Sequence, residues 1–324
     1  MRAGTRLRRH GGTHMKDWLG RHLLDALVAI WGVVTLVFFV TRILGDPTAL
    51  LLPVGATQAQ MDLFRHQLGL DLPLLQQYGH FLWQVLQGDL GHSFVQMRPA
   101  MDVVLERMPA TLTLALTAVA LGLLFGAVAG TVAALYRGRT LAWMVMLFAL
   151  LGQATPVFWL GIMLILLFSV QLGWLPTGGY GSWQHLVLPA LTLATYVTAG
   201  IARLFRSSLL DVLRDDYVRT ARSKGLAPQT VFFWHVARNA LIPVLTMLGI
   251  IVGELLGGSV VIETVFAWPG VGRLIVQAIE TQDFPVIQSG VLLVAVVFVS
   301  VNMLVDGLYA SLDPRIRSPR ASEP

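Results

Sequence analysis

Long apolar runs separated by short charged segments organise this chain. Residues 140–202 contain no Asp, Glu, Lys or Arg, which is more than one membrane crossing of about 20 residues requires. The turn formers of "GWLPTGGYGSWQH" (173–185) divide this stretch, so one apolar segment ends near Leu172 and the next begins near Leu186. Thr155-Pro156 interrupts the first half, because proline removes a helical hydrogen bond. A shallow helix over 141–154 and a crossing over 156–172 are therefore expected. Further apolar runs cover 23–44, 111–136, 240–260 and 284–309, for six transmembrane helices in all. Glycines recur at four-residue spacing in two of them, Gly122, Gly126 and Gly130, then Gly249, Gly253 and Gly257. Each set lines one helical face and permits close backbone approach.

Composition agrees with an all-α integral membrane protein. The chain is 55% hydrophobic and 13% charged, with a mean hydropathy of +0.69, too little charge for a soluble protein of this length. The basic segment before residue 23 resembles a signal peptide, but no small-x-small site follows its apolar run, so it reads as an uncleaved first helix. Met15 is a second plausible start. Of the 23 Lys and Arg, 18 fall in the alternating segments 1–21, 137–139, 203–238 and 311–324. The positive-inside rule then makes both termini cytoplasmic, in a multi-pass protein of a bacterial inner membrane. The expected organisation is a cytoplasmic N-terminus (1–22), a first crossing (23–44), a periplasmic segment (45–108), a five-helix core (109–310) with a cytoplasmic loop at 203–238, and a cytoplasmic tail (311–324). The basic residues do not gather on a soluble domain, which argues against nucleic-acid binding.

That loop is the most informative segment. Within it, Asp216-Tyr217-Val218-Arg219-Thr220-Ala221-Arg222-Ser223-Lys224-Gly225 begins with acid and ends with base, matching the helix dipole. Gly225 suits a left-handed stop, and Pro228 suits the first turn of the next helix. The pattern predicts a short helix projecting between two firm arms. Together with "RNALIP" (238–243), this stretch resembles the EAA loop of ATP-binding-cassette importer permeases, and more narrowly the dipeptide/oligopeptide/nickel permease family. "GDP" (45–47), "LGLDLPLLQQY" (68–78), "GDLGHSF" (88–94), "RMPATLTLAL" (107–116), "GGSVVIETVFAWPGVGRL" (257–274) and "DPRIR" (313–317) fit the same family in order. The glutamate of the family motif is absent; Thr220-Ala221-Arg222 stands there, while Ala221 and Gly225 carry over. The resemblance implies a MetI-like permease fold in which Asp216, Tyr217, Thr220, Ala221, Arg222 and Gly225 couple to an ATPase. It also implies two ATP-binding-cassette subunits, a second homologous permease and a periplasmic or extracellular solute-binding protein, all acting at the membrane lipid.

The motifs of catalysis are missing. The only lysines, Lys16 and Lys224, lie outside any phosphate-binding loop, so ATP is expected to be hydrolysed by a partner. No metal-ligand spacing or nucleophile motif appears, and there is no cysteine, so no cofactor, metal or catalytic residue is expected. An ionisable group inside a span is costly and points to function. Glu254 is the acid within the expected fifth span, and Gln153 and Asn302 are weaker polar candidates for a translocation path. Glu263 to Arg273 reads as an outer loop, expected either to help form an outer gate or to anchor at the membrane interface, for which Phe266 and Trp268 are suited. The substrate is expected to be a short peptide or related small solute. A nickel or metal chelate is the alternative, since "GYGSWQH", "VGELLGG" and "FAWPGVGR" look closer to that branch. A gradient-driven carrier is the distant rival, disfavoured because only one broken helix is visible.

Overall fold

A computed structural model describes residues 11–43, 48, 52, 56–67 and 69–312. The "GDP" at 45–47 and the "DPRIR" at 313–317 lie outside the described residues. Regular structure among the described residues is helical apart from one isolated bridge, His92 to Pro99. In chain order it comprises α1 (Gly11–Ile43), α2 (Gln58–Gln67), α3 (Leu74–Gln87), α4 (Ala100–Leu105), α5 (Met108–Leu135), α6 (Thr140–Ala154) and α7 (Val157–Leu164), which runs on as a π-helical stretch Ile165–Gln171. Then come α8 (Trp183–Val212), α9 (Asp216–Ser223), α10 (Arg238–Val265), α11 (Val271–Glu280) and α12 (Phe284–Leu312). A turn at Pro228–Thr230 and a second π-helical stretch, Val231–Ala237, lead into α10.

Five segments are long and apolar enough to cross a bilayer, and they contain α1, α5, α8, α10 and α12. The pair formed by α6 and the α7 stretch becomes a sixth if counted as one broken span, its halves meeting at 104°. The bend falls at the expected dipeptide: Thr155 is extended (φ −80°, ψ 130°) and Pro156 precedes α7, as the clash of a proline ring with the preceding residue requires.

The central pair is α5 against α8. Its contact surface is the glycine stripe of α5. A Cβ on Gly122 would overlap Val197, one on Gly126 would lie 2.7 Å from Ile201 Cβ, and one on Gly130 would lie 2.9 Å from the Ala202 carbonyl. The stripe is therefore spent on packing inside the chain. Gly249 and Gly253 of α10 accommodate Val305 and Phe298 of α12 in the same way, whereas Gly257 faces open space. The main core joins Leu114, Val197, Ile201, Phe205, Val244 and Ile251 from α5, α8 and α10. A second cluster joins α4 and α11 to the start of α12. In a third, Phe38 of α1 stacks on Phe81 of α3 with ring centroids 5.6 Å apart.

Candidate functional site

Three features carry the polar groups of interest: one exposed, one buried and one on an open apolar face. The first is α9. Asp215 is extended and precedes the helix without a capping side-chain hydrogen bond, and Gly225 (φ +77°) follows its end, as expected of a left-handed stop. Val218 and Ala221 are the buried residues of α9 and join the main core beside Val231, Val236 and Ala240. Asp216, Tyr217, Arg219, Thr220, Arg222 and Gly225 are exposed. Arg219 pairs with Asp216 at 3.0 Å, and the Thr220 hydroxyl donates to the Asp216 carbonyl. Tyr217 is held from the side: Asn239 Nδ2 donates to its hydroxyl at 2.9 Å, and that hydroxyl donates to the His235 carbonyl at 3.3 Å. Ala221 thus has its own chain as neighbour, and the outward face is polar. No atom lies within 4 Å of a Cβ built on Gly225, so the glycine there answers to backbone conformation alone.

The second feature lies at the opposite end of the bundle and was misread from sequence. The helix α10 continues past residue 260 to Val265, so Glu263 belongs to its last turn rather than to a loop. Glu263 is fully buried. Its Oε1 accepts from the Thr111 hydroxyl at 2.7 Å and from the Ser259 hydroxyl at 3.3 Å, and its Oε2 accepts from the Arg273 backbone N–H at 2.9 Å. Arg273 is the third residue of α11, so the carboxylate serves the free N–H groups and positive dipole end of that helix. Gly270 and Gly272 leave room for it, since a Cβ at either would overlap the carboxylate or press on it. Thr111 closes the ring by accepting from the Val271 N–H at 2.8 Å. Phe266 and Trp268 are buried, not interfacial. Trp268 Nε1 donates to the Ala110 carbonyl at 2.9 Å, and Gly179 N–H donates to the Phe266 carbonyl at 2.8 Å. This hub ties α5, α10, α11 and the 173–182 turn together. A buried carboxylate behaves similarly at residue 283: Asp283 accepts from the Ser93 hydroxyl at 2.5 Å and from the Phe94 N–H at 3.1 Å.

The third feature is an acidic position on an open face. Along α10, Ile250, Glu254, Gly257 and Val261 are exposed and share one side, at helical spacing. The Glu254 carboxylate accepts a hydrogen bond from Tyr196 of α8 at 3.0 Å. Gln153 and Asn302 are both half-exposed, on α6 and α12. The structure brings Glu254 to Tyr196 and joins neither Gln153 nor Asn302 to that pair by a hydrogen bond.

The described helices form an apolar bundle with one short charged helix, α9, at one end. Comparison supplies the family. Residues 122–318 match the family model described as binding-protein-dependent transport system inner membrane component, and residues 15–115 match the model of its N-terminal region. The chain belongs to this family of ATP-binding-cassette importer permeases. It is 46% identical to the glutathione transport system permease protein GsiC of Escherichia coli O6:H1, over 94% of this chain and 99% of that protein. It is 45% identical to that of strain K12, with the same coverage. Two inward-facing crystal forms of the MetNI methionine transporter share the fold, with TM-scores of 0.55 and 0.51 at 19% and 18% identity. They cover 65% and 68% of this chain and 96% and 98% of the matched chains. The MetI-like fold expected from sequence is present.

Proposed function

We propose that this permease carries short peptides of the glutathione kind, working beside a second homologous permease, two ATPase subunits and an external solute-binding protein. The observation that carries the substrate class is the near full-length similarity to permeases named for glutathione. The metal-chelate alternative rests on short strings alone. In this reading both termini and α9 are cytoplasmic, by the excess of Lys and Arg in the segments on that side. The exposed face of α9 (Asp216, Tyr217, Thr220, Arg222) meets the ATPase, while Ala221 and Gly225 set its seat and its stop. Glu254 lines the translocation path. A carboxylate on a span face bordered by Ile250, Gly257 and Val261 is costly against lipid and is at home beside a hydrated path, where it offers a counter-charge to the amino group of a peptide. Gln153 and Asn302 are further, weaker candidates for the same path.

The test is uptake by proteoliposomes containing the complete complex and its binding protein. ATP-dependent accumulation of labelled glutathione, competed by other short peptides and not by nickel chelates, is expected. Accumulation of the chelate with no peptide uptake would reverse the assignment. Reporters placed near Gln76 and after Arg317 should read periplasm and cytoplasm; the opposite pattern would invert the orientation.

A further inference from the structure

The orientation proposed above places five arginines on the outer side: Arg42, Arg65, Arg98, Arg107 and Arg273. Their surroundings differ. Arg65 pairs with Asp62 at 3.3 Å, Arg98 pairs with Glu106, and Arg42 lies over the Phe38 ring. Among the described residues no carboxylate pairs with Arg107 or Arg273. Those two side chains line one cleft of about 220 Å³, together with Pro269, Gly270, Leu274 and Gln277. Arg273 is steadied there by one donor, Nη1 to the Ala267 carbonyl at 2.6 Å, which leaves the rest of its guanidinium fork to a ligand. Behind Gly270 lies the Glu263 carboxylate, and Glu106, next to Arg107 in the chain, is paired with Arg98. Glu263 is fully buried and engaged by Thr111, Ser259 and the Arg273 N–H, so it does not neutralise the opening. Glu280, farther along α11, is not among the lining residues.

We propose that Arg107 and Arg273 form a carboxylate-binding cleft on the outer face of the permease, resting on the orientation and peptide substrate proposed above. Two arginines line one small cleft, and the planar geometry of a guanidinium matches a carboxylate, which it can hold through paired N–H donors. The volume admits a carboxylate with a short stem. The cleft adjoins the Glu263 hub, so in the proposed orientation an occupant sits at the outer end of α10. The carboxylate has two possible sources, the free carboxyl end of the transported peptide or an Asp or Glu side chain of the docking binding protein.

Arg107→Gln, Arg273→Gln and the double variant, reconstituted as complete complexes, distinguish them. Uptake kinetics are compared for glutathione and for its amide at the glycine carboxyl, and the affinity of the binding protein for the complex is measured at two salt concentrations. With a substrate source, the double variant raises KM for the free acid about tenfold or more and leaves the amide and the binding-protein affinity unchanged. With a binding-protein source, that affinity falls about tenfold, its salt dependence flattens, and acid and amide suffer alike. Unchanged KM and unchanged affinity in the double variant overturn the proposal, whereas Arg→Lys at both positions, which keeps the charge and loses the paired donors, is expected to recover the lost affinity only in part. Arg107→Gln alone gives a reading if the Ala267 contact makes Arg273 variants unstable. Absence of ATP-dependent peptide uptake by the unsubstituted complex would strike the functional reading instead, and the affinity arm would still judge the cleft.

Discussion

Enlarging Ala221 tests whether the seat of α9 transmits force. An eight-residue helix has no useful stability alone, so α9 keeps its place through the contacts of Val218 and Ala221, 0% and 6% exposed. Burying a valine contributes about 1.5–3 kcal/mol, and each further buried methyl about 0.8 kcal/mol; the apolar seat is thus worth about 3 kcal/mol. Ala221→Leu adds bulk at a buried core position, where overpacking costs about 1–3 kcal/mol. A loss of about 2 kcal/mol raises the unseated population about 30-fold. The ATPase subunits would then push on a helix that yields. The expected result is a complex that assembles and hydrolyses ATP but moves several-fold less solute per ATP, with faster amide hydrogen exchange over residues 216–226. Arg222→Ala, at an exposed position, should weaken ATPase attachment and leave exchange in α9 unchanged. Ala221→Leu with normal solute-to-ATP coupling and normal exchange would refute the reasoning.

Other substitutions probe the remaining features. Glu263→Ala removes the acceptor of the Thr111 hydroxyl and of the Arg273 N–H, each loss costing about 1–3 kcal/mol when buried, and should abolish a stable detergent-solubilised chain as judged by size-exclusion chromatography after mild heating; a wild-type profile would contradict the hub. Gly126→Ala places a Cβ 2.7 Å from that of Ile201 and should destabilise the α5–α8 pair by about 1–3 kcal/mol, whereas Gly257→Ala meets open space and should leave the isolated chain's thermal stability equal or higher. Glu254→Gln keeps an acceptor for Tyr196 while removing the charge, so assembly should persist and KM for peptide should rise about tenfold; unchanged kinetics would make Glu254 a packing residue.

What sequence revealed here divides along physical lines. Local signals were legible: the bend at Thr155-Pro156, the stop at Gly225 and the start at Pro228 depend on a residue's own backbone preferences, and each appears where expected. The α5 glycine stripe was legible as a packing face because helical spacing alone defines it. Glu263 was not. An acid followed by proline and glycine looks like a loop when its partners are invisible, and its principal side-chain donor, Thr111, lies 152 residues away in sequence. Trp268 was misplaced for the same reason, its N–H being taken by Ala110 at a separation of 158 residues. The two π-helical stretches also escaped, since one extra residue in a turn leaves no compositional mark.

These features lie along one element. The helix α10, at about 1.5 Å per residue, is about 42 Å long. At its start the π-helical stretch carries His235 and the turn below it, and Tyr217 of α9 is pinned between the His235 carbonyl and Asn239. Four residues on, Pro243 leaves the Asn239 carbonyl without its helical donor, so the junction between α9 and α10 is softer than the rest of the helix. At its far end Glu263 fixes α10 to α5 and α11 through charge-assisted bonds in a dry setting. In the proposed function a push on α9 would reach α10 at a compliant joint and tilt a rod whose far end is clamped, so that displacement falls from the α9 end toward Glu263 and the middle still shifts relative to α8. That middle carries Glu254, bonded to Tyr196 of α8. The bond between these two side chains is consequently the one whose length should respond to nucleotide. A spin-label or fluorophore pair at residues flanking 196 and 254 should change separation on ATP binding in the complete complex. Constant separation through the ATPase cycle would mean that α8 and α10 move as one body and that the gate lies elsewhere.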